Sequence, residues 1–391
     1  MGCELPDQPV GECAVLPCIT DEKVVLLGRV KGSGPRPSTL NRFLDRRRPA
    51  VGVAALLLTA AYKRAEPSSV MADAANAFLN SLWPDQKAKV SYAFDDDERL
   101  TWHFVPTGAN YKPGDRELRK GMPLGAMQPF QRDLATALLA AGLSQQGVIK
   151  AQSIMSLEQV LLLLEGGQPV NRRDSDNYFI TIFGTPSAKG TWGYRIEGHH
   201  LAQNYTIVDG KVSDSPSFFG SNPAEVRIGP RKGLRVLALE DDYGYDMIES
   251  LDKTQQDVAV VDKTALKDII TGASRKAALN GVPNGLSAAK MTAVQYDKLM
   301  TIVELYASNV PQAMAEKRLE LARKQPKGAT FFAWTGAVER GGLHYYRIQT
   351  PGFLIEMDCT QDQGNHVHSV WRDYENDFGL DLLKAHYSAS H

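Results

Sequence analysis

The stretch TFFAWTGAVERGGLHYYRIQTPGFLIEMDC, Thr330 to Cys359, decides the fold. Its apolar and aromatic residues fall into three runs, 330–338, 343–349 and 353–359, separated by ERGG and TPG. Connections this short join antiparallel neighbours, because a parallel crossover needs about a dozen residues or more. The spacing therefore predicts a β-meander. In the third run Phe353, Ile355 and Met357 alternate with Glu356 and Asp358, so one strand face is apolar and the other acidic.

The pattern continues on both sides. After Cys359 the loop TQDQGN leads to HVHSVW, and a short helix, DFGLDLLKAHY, closes the chain. Upstream, NYFITIFG (177–184) and GTWGYRIEGHHLAQNYTIVDGKV read as strands, with Asp209-Gly210 as a hairpin turn. RLTWHFVP (99–106) reads as another strand. Helices are predicted where apolar residues recur every three or four positions. One carries Ala74, Phe78 and Leu82. The next runs from Pro129 to Ala141, and a third starts near Ser156, with Gln159 completing a capping box. A helical region spans 243–325, with Met291, Gln295, Leu299, Ile302 and Tyr306 on one face. Strands do not alternate with helices, which argues against a doubly wound parallel sheet. The expected fold class is α+β: a mainly antiparallel sheet with flanking helices in a single large domain, 70–391, with no internal repeat.

The chain has 391 residues and a formal net charge of −1. Such a balance gives no reason to expect a nucleic-acid partner. Three of the four cysteines, Cys3, Cys13 and Cys18, precede residue 20, so Cys359 stands alone in the body and no disulfide framework is expected there. Residues 1–45 lack periodicity and read as a disordered extension or the product of a misplaced start. Residues 46–65 resemble a signal peptide: Arg46, Arg47 and Arg48 precede an apolar run from Ala50 to Ala61, too short to span a bilayer. The expectation is a periplasmic or secreted protein with no stable membrane span after processing. A cytoplasmic location follows if 46–61 is not a signal.

Four of the eight histidines lie in two short strings, EGHHL and NHVH. If 366–368 is a strand, His366 and His368 point the same way and can reach one ion at about 2.0–2.1 Å. If 199–200 is a strand, His199 and His200 point to opposite faces, and at most one joins the site without a kink, which Gly198 could provide. Glu197 and Asp358 are candidate bases, or acceptors that orient the imidazoles. Arg195 and Arg347 are candidate clamps for an anionic substrate, or partners of Glu197 and Glu356. An all-histidine ligand set suits a divalent ion such as zinc, copper or iron. Cys359, His103, His344 and His386 read as structural.

Several long strings occur in order: ERLTWHFVP, IFGTPSAKGTWGYRIEGHHLAQNYTIVDG, FFGSNPAEV and YYRIQTPGFLIEMDCTQDQGNHVHSVWRDYENDFGLDLLKAHY. Over roughly 70–391 they resemble the bacterial domain-of-unknown-function 3500 family, many of whose members look exported. The resemblance implies that Glu197, His199, His200, His366, His368, Trp371, Arg372, Asp373, Asn376, Asp377 and His386 form its functional centre, without implying a chemistry. The function expected is an exported metal-dependent enzyme, hydrolase or oxidoreductase, acting on a small molecule. Its metal ligands come from His199, His200, His366 and His368, and its catalytic groups from Glu197, Asp358, Arg195 and Asp373. The alternatives are a non-catalytic small-molecule-binding protein, its pocket lined by Trp192, Tyr345, Tyr346 and Trp371, and a protein whose histidines are purely structural.

Overall fold

A computed structural model describes residues 66–106, 119–167, 173–279 and 281–390. The expectations for 1–45 and 46–65 lie outside the described residues. The strands are β1 (Ser91–Tyr92), β2 (Met122–Pro123), β3 (Phe179–Gly184), β4 (Trp192–Gly198), β5 (Leu201–Val208), β6 (Lys211–Ser213), β7 (Ser217–Ser221), β8 (Val260–Asp262), β9 (Leu286–Ser287), β10 (Phe331–Gly336), β11 (His344–Gln349), β12 (Phe353–Gln361) and β13 (His366–Asp373). The helices are α1 (Pro67–Ser81), α2 (Pro84–Val90), α3 (Pro129–Gly142), α4 (Gln145–Leu164), α5 (Ala238–Glu249), α6 (Lys253–Ala259), α7 (Ala293–Ala307), α8 (Gln312–Lys324) and α9 (Leu380–Ser390). The strands form one sheet, ordered β1-β3-β4-β5-β7-β13-β12-β11-β10-β8, with β2, β6 and β9 as side pairings. Every pairing is antiparallel except β1 with β3 and β8 with β10. The α+β class and the meander β10–β13 are as the sequence predicts.

The expectation of no internal repeat does not hold. Two helices, two short strands, two longer helices and an antiparallel meander appear once before Ser221 and again after Leu237. The two meanders meet back to back at β7 and β13. A side-chain motif repeats with the topology. Gln131 caps its own helix by accepting from Gln128 N at 2.8 Å, donates to the Ser81 carbonyl at 2.9 Å, and pairs with Gln86. In the second half Gln295 accepts from Thr292 N at 2.9 Å, donates to the Ser250 carbonyl at 2.8 Å, and pairs with Gln255. Each buried glutamine thus satisfies the start of one helix and the end of another. The halves share two short gapped strings around these residues, Ser-Leu-x-x-x-Gln at 81–86 and 250–255 and Gly-x5-Met-x3-Gln-x-Asp at 121–133 and 285–297, too sparse to stand out without the topology.

The sheet has two unlike faces. Alternate residues such as Ile196, Leu201, Phe219, Tyr346, Ile355, Met357 and Trp371 join helix residues in one large apolar core. The opposite face carries Arg195, Glu197, Glu356, Asp358 and Arg372, all buried. Irregular segments cover it. The 99–106 stretch, read as a strand, is one of them: its backbone bonds to the His200 amide and the Glu197 carboxylate rather than to a ladder. Trp102, Phe104, Ile269 and Phe378 from these segments pack with Ala202, Phe218 and Val370 of the sheet. The helix expected from Ser156 begins earlier, at Gln145, because Ser144 is its cap and accepts from Gly147 N at 3.1 Å. That helix is apolar and long enough to cross a membrane, but Ala151, Ile154 and Leu157 on it are buried in the fold.

Replacing Gln131 or Gln295 by alanine leaves the Ser81 or Ser250 carbonyl and one partner amide without their bonds. Each substitution is expected to lower stability by about 1–3 kcal/mol. The two sites share no partner, so the double variant loses the sum in denaturant unfolding.

Candidate metal centre

His199 and His200 are not in a strand. They are the two turn residues of the β4–β5 hairpin, closed by Gly198 opposite Leu201. A turn does not alternate faces, so the rule of one histidine per face lapses, and the two rings lie 3.8 Å apart. His200 adopts the left-handed region at φ 61°. This region is sparsely used by residues with a side chain, although histidine is among those enriched there. Its backbone is fixed on both sides: the amide donates to Phe104 O at 2.8 Å and the carbonyl accepts from Gly220 N at 2.7 Å. A β-carbon at Gly220 would stand 2.9 Å from the His200 ring, so the imidazole requires glycine there.

His366 and His368 share the polar face of β13, as their spacing predicts. Gly220 of β7 lies opposite His368, which sets the His200 ring beside both. The three Nε2 atoms converge: His200 to His366 is 2.8 Å, His366 to His368 is 3.1 Å, and His368 to His200 is 3.2 Å. Two tetrahedral nitrogen ligands about 2.05 Å from zinc lie about 3.3 Å apart, so the triangle is close to ligand spacing. His368 Nδ1 is 2.7 Å from Asp268 Oδ1, and His366 Nδ1 is 2.9 Å from Asp362 Oδ2. Each carboxylate accepts the Nδ1 proton and leaves a lone pair on Nε2. Burial pushes His366 down to about 4, so this ring is neutral near pH 7. Burial also lowers His200, with the neighbouring histidines adding to it. The site can therefore bring three imidazole nitrogens to one cation.

Asp268 comes from the loop after β8. Ile270 and Thr271 of that loop donate backbone N–H groups to Glu356 at 2.6 and 3.1 Å. Glu356 thus orients no imidazole directly; it anchors the loop whose aspartate does. Asn222 donates to Asp362 at 3.0 Å and steadies the other carboxylate. Phe104 forms the apolar wall, its ring edge-on to His368 at 5.0 Å and stacked on Phe218 at 4.1 Å.

The remaining sequence candidates are distributed as follows. His199 turns away from the triad and bonds through Nδ1 to Glu158. Burial raises the Glu158 carboxyl to about 8 and lowers His199, so the pair is neutral, with the carboxyl O–H donating. Arg195 and Glu197 pair with each other at 2.8 Å, and Arg195 also binds Glu98 at 2.7 Å. Asp358 lies directly opposite His368 on the same face, its carboxyl bonded to the Thr360 hydroxyl and pushed up to about 7 by burial. Asp373, at the far end of β13, caps the turn that follows by accepting from Glu375 and Asn376 N–H. All four aromatics considered for a pocket, Trp192, Tyr345, Tyr346 and Trp371, are buried. Sequence reading missed Asp268, Asp362, Asn222 and Glu158. Asp362, four residues before His366, was within reach of a search around the histidines; the others are distant in sequence.

Residues 64–380 match the family described as "Protein of unknown function (DUF3500)". The chain belongs to this family. No curated protein and no solved structure matches it. Both histidine strings that carry the resemblance, EGHHL and NHVH, fall inside the matched residues and meet at the triad.

The Glu158–His199 pair has a pH signature. The folded protein keeps on Glu158 a proton that the unfolded chain releases near the ordinary value of 4.5, and holds it until about 8. Glu158 alone therefore loses its contribution as pH rises through this window, while the lowered His199 acts the other way below 6.5, so the net loss from the pair falls between about 6.5 and 8. Glu158→Gln is expected to flatten that part of the stability curve in denaturant melts across the window. An unchanged slope would show that the proton is not there.

Proposed function

We propose that this protein is a metal-dependent enzyme whose single ion is held by His200, His366 and His368. The observation that carries the reading is the convergence of three Nε2 atoms within 3.2 Å, two of them with Nδ1 committed to aspartates. A structural role would direct these nitrogens at carbonyls or hydroxyls, whereas here they face one another. Three protein ligands leave a position open, the arrangement of a catalytic rather than a closed structural site. An ion bound there supplies Lewis acidity for water activation if it is zinc, or dioxygen chemistry if it is iron or copper. Asp268 and Asp362 hold the imidazoles in the tautomer that binds. Asp358, beside His368 with its carboxyl raised to about 7, is the group placed to take and return a proton. Phe104 and Phe218 keep one side of the site dry. The substrate is a small molecule, and the same reading places the protein outside the cytoplasm, on the strength of Arg46–Arg48 and the apolar run at 50–61.

Elemental analysis of tag-free protein is expected to find a transition ion that is lost in His366→Ala and in His200→Ala. Metal content unaltered by either substitution would overturn the reading. Asp268→Asn keeps the ligands and disturbs their orientation, so its affinity for the ion is expected to fall about 10- to 100-fold with the fold intact. Cell fractionation checks the location: recovery of the protein in the cytoplasm with residues 46–61 still attached would refute export.

A further inference from the structure

A second group of unlike donors lies on the opposite, helix-covered face of the sheet. His344 opens β11, Cys359 stands directly across from it on β12, and Asp241 reaches them from the first turn of α5. The His344 nitrogen, the Cys359 sulfur and an Asp241 carboxylate oxygen all lie within 4.8 Å of one another.

Each donor is prepared from behind. His344 Nδ1 is 2.9 Å from the Gly342 carbonyl and 3.0 Å from the Tyr245 hydroxyl; in the tautomer whose Nδ1–H donates to that carbonyl, the lone pair is on Nε2. The ring is clamped flat against Trp334, with centroids 4.8 Å apart and planes 7° apart. Arg235 donates to Asp241 Oδ2 at 2.8 Å, and Oδ1 is the oxygen turned toward the histidine. His344 Nε2 and Asp241 Oδ1 then stand 3.1 Å apart, yet both are buried and neither makes a hydrogen bond. Two lone pairs face each other with a sulfur beside them. An imidazolium would resolve this only by aligning an N–H with the oxygen, and no such bond is formed.

We propose that Asp241, His344 and Cys359 form a second metal site, separate from the histidine triad, for a borderline or soft divalent ion of the zinc class. Thiolate and imidazole together select such ions over calcium or magnesium, and carboxylate completes three protein ligands. The Cys359 thiol now donates to the Gly364 carbonyl at 3.3 Å. Binding replaces that S–H by a sulfur–metal bond and releases its proton to solvent, with no change of oxidation state. Gly364 belongs to the loop that also carries Asp362, the acceptor for His366, so one hairpin serves both sites.

The test is titration of the full, metal-stripped chain with cobalt(II), followed by absorption. Cobalt bound to a thiolate gives an intense charge-transfer band in the near ultraviolet, which an all-nitrogen site does not. Cobalt added in excess of both sites is expected to produce this band. It persists in His366→Ala, which removes only the triad, and disappears in Cys359→Ser. Asp241→Asn, at a half-buried helix position, weakens cobalt binding at this site at least tenfold. If Cys359→Ser does not fold, Asp241→Asn decides: an unaltered titration overturns the proposal. Cobalt binding without the band, or a band that survives Cys359→Ser, overturns it as well, whatever becomes of the triad.

Discussion

Lone pairs on neighbouring imidazole nitrogens repel one another, and three imidazoles meet beside the seam of this sheet. Asp268 and Asp362 hold the protons of His368 and His366 on Nδ1, so their Nε2 atoms are both acceptors, 3.1 Å apart. A proton on His200 Nε2 could bridge to one of them but not resolve all three contacts. Protonating the cluster is opposed by burial, which holds His366 near 4. A metal cation removes the conflict with atoms already in place. The left-handed backbone of His200, the missing β-carbon at Gly220 and the buried Glu356 that anchors the Asp268 loop all become intelligible as means of holding that arrangement.

The fold supplies the place. Two halves with the same element order join through β7 and β13, and the triad lies beside that seam. One half contributes a hairpin turn, the other a strand and a loop. The matching turn of the second half, between β11 and β12, is Thr350-Pro351-Gly352 and offers no imidazole. The repeat thus builds a symmetric scaffold, and the histidine triad sits on it once. One sheet face is an ordinary apolar core under helices. The other buries ion pairs such as Arg195–Glu197 and Arg372–Asp377 beneath irregular segments. Buried charges of this kind contribute little net stability, but they leave few alternative arrangements for the segments above them.

Sequence reading recovers the parts of this that depend on local pattern. Alternation in 353–359 separates the apolar face from the acidic one, and the spacing of His366 and His368 puts both on one side. The family resemblance points to both histidine strings. What fails is informative. Read as a strand, Gly198 to Leu201 sends its histidines apart; as a two-residue turn it sends one to the triad and one to Glu158. Gly198 is the one mark of a break there, since the stretch lacks the Asn-Gly or Asp-Gly signature that makes Asp209-Gly210 legible. The repeat is hard to see because, beside the capping glutamine and the meander, its halves share only the short gapped strings Ser-Leu-x-x-x-Gln and Gly-x5-Met-x3-Gln-x-Asp. Asp268 is invisible because the contact that makes it important spans a hundred residues of chain.

The most direct measurement is a crystal structure of protein purified without added metal or chelator, with anomalous diffraction recorded across the transition-metal absorption edges. The account predicts one anomalous peak bonded to the Nε2 atoms of His200, His366 and His368, at about 2.0–2.1 Å from each if the ion is zinc. Three imidazoles that relax apart around water, with no peak between them after soaking in zinc, would contradict it.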